Sequence, residues 1–174
     1  MKAISNIEID DFLKHTGTQG YKGVYSCNNL PSENEVKEWT NFCIICNLSK
    51  ENEVGTHFIA IVASKNVIYY LDSLALNATI HNYIKKFIDK LNKDFIITLT
   101  SPIQEKNSLH CGYYAIFFCL YYMNRLSTNS KSTKIDIIKF QNINLLDNDN
   151  ICIKNITKLT GITNHALLNK GISS

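Results

Sequence analysis

Cys111, His57, Asp72 and Gln104 are the side chains of this chain whose types and order could carry out nucleophilic acyl transfer. In such chemistry a thiolate attacks a carbonyl, and an imidazole takes and returns the proton. A carboxylate holds the imidazole in one tautomer and stabilises its cation, while N–H groups meet the charge that develops on the attacked oxygen. Cys111 opens a long apolar run, and a thiol at a helix start has its charged form stabilised by the helix dipole and the unpaired backbone donors there. Cys119, deeper in the same run, lacks that placement. The same helix start leaves the Cys111 N–H free to donate, and Gly112 leaves room for a substrate carbonyl. Gln104, seven residues before Cys111, offers a second donor from a loop.

Each group alone has a commoner role. A buried cysteine is a small hydrophobe, a strand-end histidine faces solvent, an aspartate after a strand closes a turn, and a loop glutamine has no special meaning. Their combination is informative. His57 begins one apolar run and Asp72 ends the next, and their separation of fifteen residues fits a hairpin that brings both to the same end of a sheet. His110 adjoins Cys111, but consecutive helical residues diverge by about 100°, so it is poorly aimed as a base and reads as a cleft wall at most.

The elements that must position these groups follow from hydrophobic period. Ser5 and Glu8 have capping-box spacing ahead of an apolar stripe, predicting a helix from about Asn6 to His15. Gly17, Gly20 and Gly23 punctuate a loop around Tyr21 that reads as substrate-facing, with a short strand at Val24 and Tyr25. The runs Phe42 to Leu48, His57 to Ala63, Val67 to Leu71 and Phe95 to Thr100 read as strands. Ile80, Tyr83, Ile84, Phe87, Ile88 and Leu91 recur at helical spacing opposite Lys85, Lys86, Lys90 and Lys93. Cys111 to Leu126 is hydrophobic on every face and predicts a central buried helix. Ile135 to Leu146 and Ile151 to Leu159 give two weaker helical patterns, the second ending at Gly161. The expected fold is α+β, a central mixed or antiparallel sheet from the strands near Phe42, His57, Val67 and Phe95 packed on the Cys111 helix. The site is expected at the sheet edge facing that helix's N-terminus.

With 174 residues, 45% of them hydrophobic, the chain can form one substantial core. A single domain is expected over 1–174, with a core at about 8–126 and a helical C-terminal segment at about 133–174. The net charge of +3 is too small to mark a dedicated nucleic-acid binder. No run reaches membrane-spanning length and the first residues do not resemble a signal sequence, so neither membrane association nor export is expected. Six cysteines (Cys27, Cys43, Cys46, Cys111, Cys119 and Cys152) lie mostly in apolar runs, which predicts free thiols in a reducing compartment. Cys43 and Cys46 have a two-residue gap but no second ligand pair at zinc spacing, so they read as core and no metal is expected. The asparagine-rich run from Asn142 to Asn150 reads as coding bias.

The segments Gly55-Thr56-His57-Phe58, Tyr70-Leu71-Asp72-Ser73 and Gln104-Glu105-Lys106-Asn107-Ser108-Leu109-His110-Cys111-Gly112-Tyr113 resemble the three motifs of the adenovirus protease (adenain) family. Its clan also holds the ubiquitin-like-protein (SUMO) proteases. The likeness spans about residues 8 to 126. It implies a papain-like site with Cys111 as nucleophile, His57 as general base, Asp72 as third member, and Gln104 with the Cys111 amide as oxyanion hole. It further implies a thiol endopeptidase that matures virion precursors of a DNA virus or virus-like mobile element. The alternative is an isopeptidase acting on ubiquitin-like conjugates, toward which Asp72-Ser73 leans. Phe58 stands where the adenovirus family has tryptophan, and Ile96 stands where its activating viral peptide bonds to a cysteine. An activating peptide and DNA are the cofactors the resemblance suggests, although the lysines are no denser than on an ordinary solvated helix. A monomer is expected, in the host nucleus or cytoplasm and in the virion.

Overall fold

In the computed structural model of the protein, residues 3–76, 80–127 and 144–162 are described. Helix α1 (Asn6–His15) leads to β1 (Tyr21–Ser26), the single turn α2 (Glu33–Val36) and strands β2 (Phe42–Asn47), β3 (Phe58–Ala63) and β4 (Val67–Leu71). Then come α3 (Asn82–Lys90), β5 (Phe95–Thr98), α4 (Cys111–Ser127) and α5 (Leu145–Thr160). The helix expected from Ile135 lies largely outside the described residues; its last positions, Leu145 and Leu146, open α5, which begins well before Ile151.

The five strands form one mixed sheet in the order β1-β2-β3-β4-β5. The central pairings β2–β3 and β3–β4 are antiparallel, and the outer ones, β1–β2 and β4–β5, are parallel. The short strand expected at Val24 and Tyr25 runs from Tyr21 to Ser26, taking in part of the loop read as substrate-facing, and joins the sheet beside β2. Because β3 is central, the end of the sheet where His57 and Asp72 stand is the middle of its rim.

Every residue of β2 and β3 is buried because helices cover both faces. This is why their sequences are continuous apolar runs and not an alternation. Cys43, Ile45, Ala60, Val62 and Leu71 point into one core layer with α1, α4 and α5, where Ile9, Leu13, Ile116 and Ile153 meet them. Ile44, Cys46, Ile59, Ile61 and Ile68 point into the second layer, filled by Ile84, Phe87 and Ile88 of α3. The Cys43 and Cys46 thiols therefore lie on opposite faces of the sheet, which rules out a shared metal or a disulfide between them. Tyr83, included in the apolar stripe, is 43% exposed and stacks on His81 instead.

Helix α1 starts as the sequence predicts, with both halves of its capping box formed between Ser5 and Glu8. The same device at Ser32 and Glu35 starts α2, which is too short to have a readable period. Helix α4 is the structural axis, burying ten residues between the sheet, α1 and α5.

Candidate active site

His57 stands one residue ahead of β3, and Asp72 one residue beyond β4. Continuing the register past Ala60 and Leu71 sets Asp72 opposite Ile59. His57 lies two positions further along on the same face, because strand side chains alternate with period two. The two side chains meet across this diagonal, His57 Nε2 to Asp72 Oδ1 at 2.7 Å. An ionised carboxylate can only accept, so Nε2 carries the hydrogen and the other ring nitrogen, Nδ1, is left for Cys111.

The turn after β4 is built around the Asp72 carboxylate. Leu74 N–H donates to Oδ1 at 2.9 Å and Leu76 N–H to Oδ2 at 3.1 Å. Ala75 is held at a φ of 45°, a left-handed conformation that costs of order 1–3 kcal/mol for a residue with a Cβ. On the histidine side, Gly55 is fixed by a close approach, since a Cβ there would lie 2.5 Å from Asn47 Nδ2.

Cys111 is the first residue of α4, and His57 is the side chain that acts most strongly on its thiol. Burial pushes its thiol pKa up, but the neighbouring His57 imidazole and the backbone N–H groups of Phe58 and Gly112 outweigh it, and the pKa lies below the ordinary thiol value. Burial likewise pulls His57 down, and the Asp72 hydrogen bond together with the Cys111 thiol overcomes it, raising the imidazole to about 9. Both shifts favour a thiolate facing an imidazolium. Gly112 serves packing and not substrate access. A Cβ there would fall 2.4 Å from Ile4 Cγ2 and 3.1 Å from Ile9 Cδ1, so the missing side chain lets α1 and its lead-in close on α4.

Gln104 is buried, and both ends of its amide are tied. Ser73 Oγ donates to Oε1 at 2.6 Å, and Nε2 donates to the Ser108 carbonyl at 2.8 Å. A carbonyl cannot donate, so the amide has one orientation. Among the described residues, no protein group takes its second N–H. The Ser73 carbonyl also accepts from the N–H of Ile103 and of Gln104, at 2.9 and 3.1 Å. All four predicted residues are thus brought to one place. His57, Gln104 and Cys111 line a single cleft of about 920 Å³, walled by residues 3–7 on one side and the loop around Glu53 on the other.

Sequence reasoning missed what holds the glutamine loop. Asp149 of α5 accepts from Ser108 Oγ at 2.6 Å and from Tyr114 Oη at 2.9 Å. Asn148 Nδ2 donates to the Ile103 carbonyl at 3.0 Å, and Tyr114 Oη, 3.1 Å from the same carbonyl, shares its one hydrogen between it and Asp149. Ser108 spends its hydrogen on Asp149, so the 2.7 Å contact with His110 Nδ1 has the imidazole donating. Burial raises the Asp149 carboxyl, but His110, whose Nδ1 lies 3.2 Å away, and the Ser108 and Tyr114 hydroxyls bring it below the usual carboxylate range. The sequence carried no local signal, since Asn148 and Asp149 stand within the polar stretch Asp147 to Asn150 of the run read as coding bias. Asn148 and Asp149 are in fact buried.

Among the described residues, no cluster of His, Cys, Asp or Glu could hold a metal ion and no helix is long and apolar enough to cross a membrane.

A mixed sheet capped by a helix that presents a thiol to an imidazole and carboxylate defines an α+β fold of the cysteine-protease type. Residues 39–156 match the model of the Ulp1 protease family, C-terminal catalytic domain, so the chain belongs to that family and is a cysteine protease. The family and the adenovirus proteases share a clan. ChlaDub1 from Chlamydia trachomatis is 13% identical, with a TM-score of 0.50 over 94% of this chain and 76% of that one. The ASFV pS273R protease is 12% identical, with a TM-score of 0.50 over 88% of this chain and 66% of that one. These two share the fold. The C-terminal Ulp1 protease domain, solved with Smt3, the yeast ortholog of SUMO, is 16% identical with a TM-score of 0.45 over 89% of this chain and 78% of that one. No curated protein sequence matches the chain.

Proposed function

We propose that the protein cleaves amide bonds in protein substrates through a thioester on Cys111. The observation that carries this is the bond of His57 to Asp72 at 2.7 Å, with the His57 imidazole and the Cys111 thiol lining one open cleft. The Cys111 sulfur attacks the scissile carbonyl and its electron pair moves to oxygen, where the Cys111 N–H and the second N–H of Gln104 Nε2 receive it. Collapse of that intermediate breaks the C–N bond, and the His57 proton goes to the leaving amine. Water, deprotonated by His57, then releases the acid and the thiol. Asp72 keeps the imidazole in the required tautomer throughout.

The finer reading is an endopeptidase that matures virion precursors, supported by the adenain-like segment from Gln104 to Tyr113. An activating peptide fits this reading, because β5 is the last strand of the sheet and exposes Phe95 and Ile96. Incubation with candidate capsid precursors, with Cys111→Ala as control, tests it, and intact precursors would count against it. A second reading, removal of ubiquitin-like modifiers, is favoured by the family match and by Asp72-Ser73. A panel of ubiquitin-like proteins carrying C-terminal electrophiles separates the two, since only an isopeptidase of this kind is labelled efficiently.

A further inference from the structure

Helix α5 supplies none of the three groups of the proposed proton relay, yet it carries the carboxylate that pins the loop between Gln104 and Cys111. The chain of contacts is continuous: Asp149 Oδ2 to Ser108 Oγ at 2.6 Å, then the Ser108 carbonyl to Gln104 Nε2 at 2.8 Å. Asp149 is only 5% exposed, so its charge is shielded from solvent and its bonds are correspondingly strong. Tyr114, on α4 near Cys111, holds the other carboxylate oxygen at 2.9 Å. One carboxylate therefore joins the nucleophile's helix to the donor's loop.

We propose that Asp149 is a positioning residue for the oxyanion donor, acting through Ser108 to set Gln104 Nε2 against the sulfur of Cys111. The proposal rests on the reading of Gln104 as that donor. Transition-state stabilisation of this kind depends on donor placement within a fraction of an ångström. Removing the carboxylate lets the loop drift while leaving the pair of Cys111 and His57 intact.

The test uses two small probes on the full chain. Iodoacetamide alkylates the Cys111 thiolate without forming an oxyanion, whereas p-nitrophenyl acetate acylates it through one. In Asp149→Ala, acylation should fall about tenfold to a hundredfold with alkylation unchanged. Asp149→Asn, which keeps the shape and one acceptor, should recover part of the loss. In a Gln104→Ala background, where acylation has already fallen about 10²–10³-fold, Asp149→Ala should add little, because the two act as a unit. Circular dichroism identifies any variant that fails to fold, in which case Asp149→Asn and Ser108→Ala carry the same comparison. Equal losses of alkylation and acylation, or losses that multiply independently with Gln104→Ala, would overturn the proposal and leave the Gln104 reading standing. Unchanged acylation in Gln104→Ala would overturn both.

Discussion

The Ser73 hydroxyl donates to Gln104 Oε1 at 2.6 Å, and Ser73 is the residue directly after Asp72. The turn that ends β4 thus supplies the carboxylate for His57 with one residue and orients the amide of Gln104 with the next. The sheet and the glutamine loop are coupled at this turn.

Asp72→Ala should lower the acylation rate by about two to four orders of magnitude while the fold survives, since the histidine loses both its tautomer lock and its counter-charge. The imidazole pKa should move down from about 9, so the alkaline limb of the pH–rate profile should shift to lower pH. A profile with an unmoved limb would show that Asp72 does not govern His57.

The pH dependence of stability has a definite sign. The folded pKa of His57 is raised from 6.5 to about 9, so the protonated ring stabilises the fold fully below 6.5 and this contribution is lost as pH rises through about 9. Thermal melts on either side of that window should show a larger alkaline loss of Tm in the wild type than in His57→Ala.

Thiol reactivity should single out one cysteine. Cys111 is the only partly exposed cysteine, its thiol pKa lowered, whereas burial holds Cys119 and Cys152 well above the ordinary 9.0. Mass mapping after brief iodoacetamide treatment near neutral pH should find the label on Cys111 and reach the others only after denaturation.

Gly112→Ala should destabilise the protein by about 1–3 kcal/mol, as overpacking does. The helix-propensity gain of ~1 kcal/mol is outweighed, because the new methyl would meet the buried Ile4 and Ile9 side chains. A denaturant midpoint at or above that of the wild type would contradict the packing role.

Local signals carried most of the fold. The capping box at Ser5, the all-round apolar run after Cys111 and the continuous apolar strands each reported one-dimensional information, and the corresponding elements fall within a few residues of expectation. Sheet membership of β1 was illegible because its partner β2 lies beyond a loop and pairs in parallel, which no turn signal announces. The four candidate residues were legible because their motifs are contiguous. The Asp149 cluster was not, since its bond to Ser108 spans forty-one positions and nothing local distinguishes a buried carboxylate from a solvated one. Gly112 was assigned to substrate access because sequence shows that a side chain is missing without showing which neighbour requires the gap.

The lead-in to α1 has a further effect on how the cleft can be entered. Ile4 fills the notch left by Gly112 beside the nucleophile, and Ala3 to Ile7 stand as one bank of the channel in front of it. A polypeptide that lies in this channel must run alongside the protein's own first turn of helix. Residues far in sequence from the sulfur thus form part of the wall that any bound chain would meet.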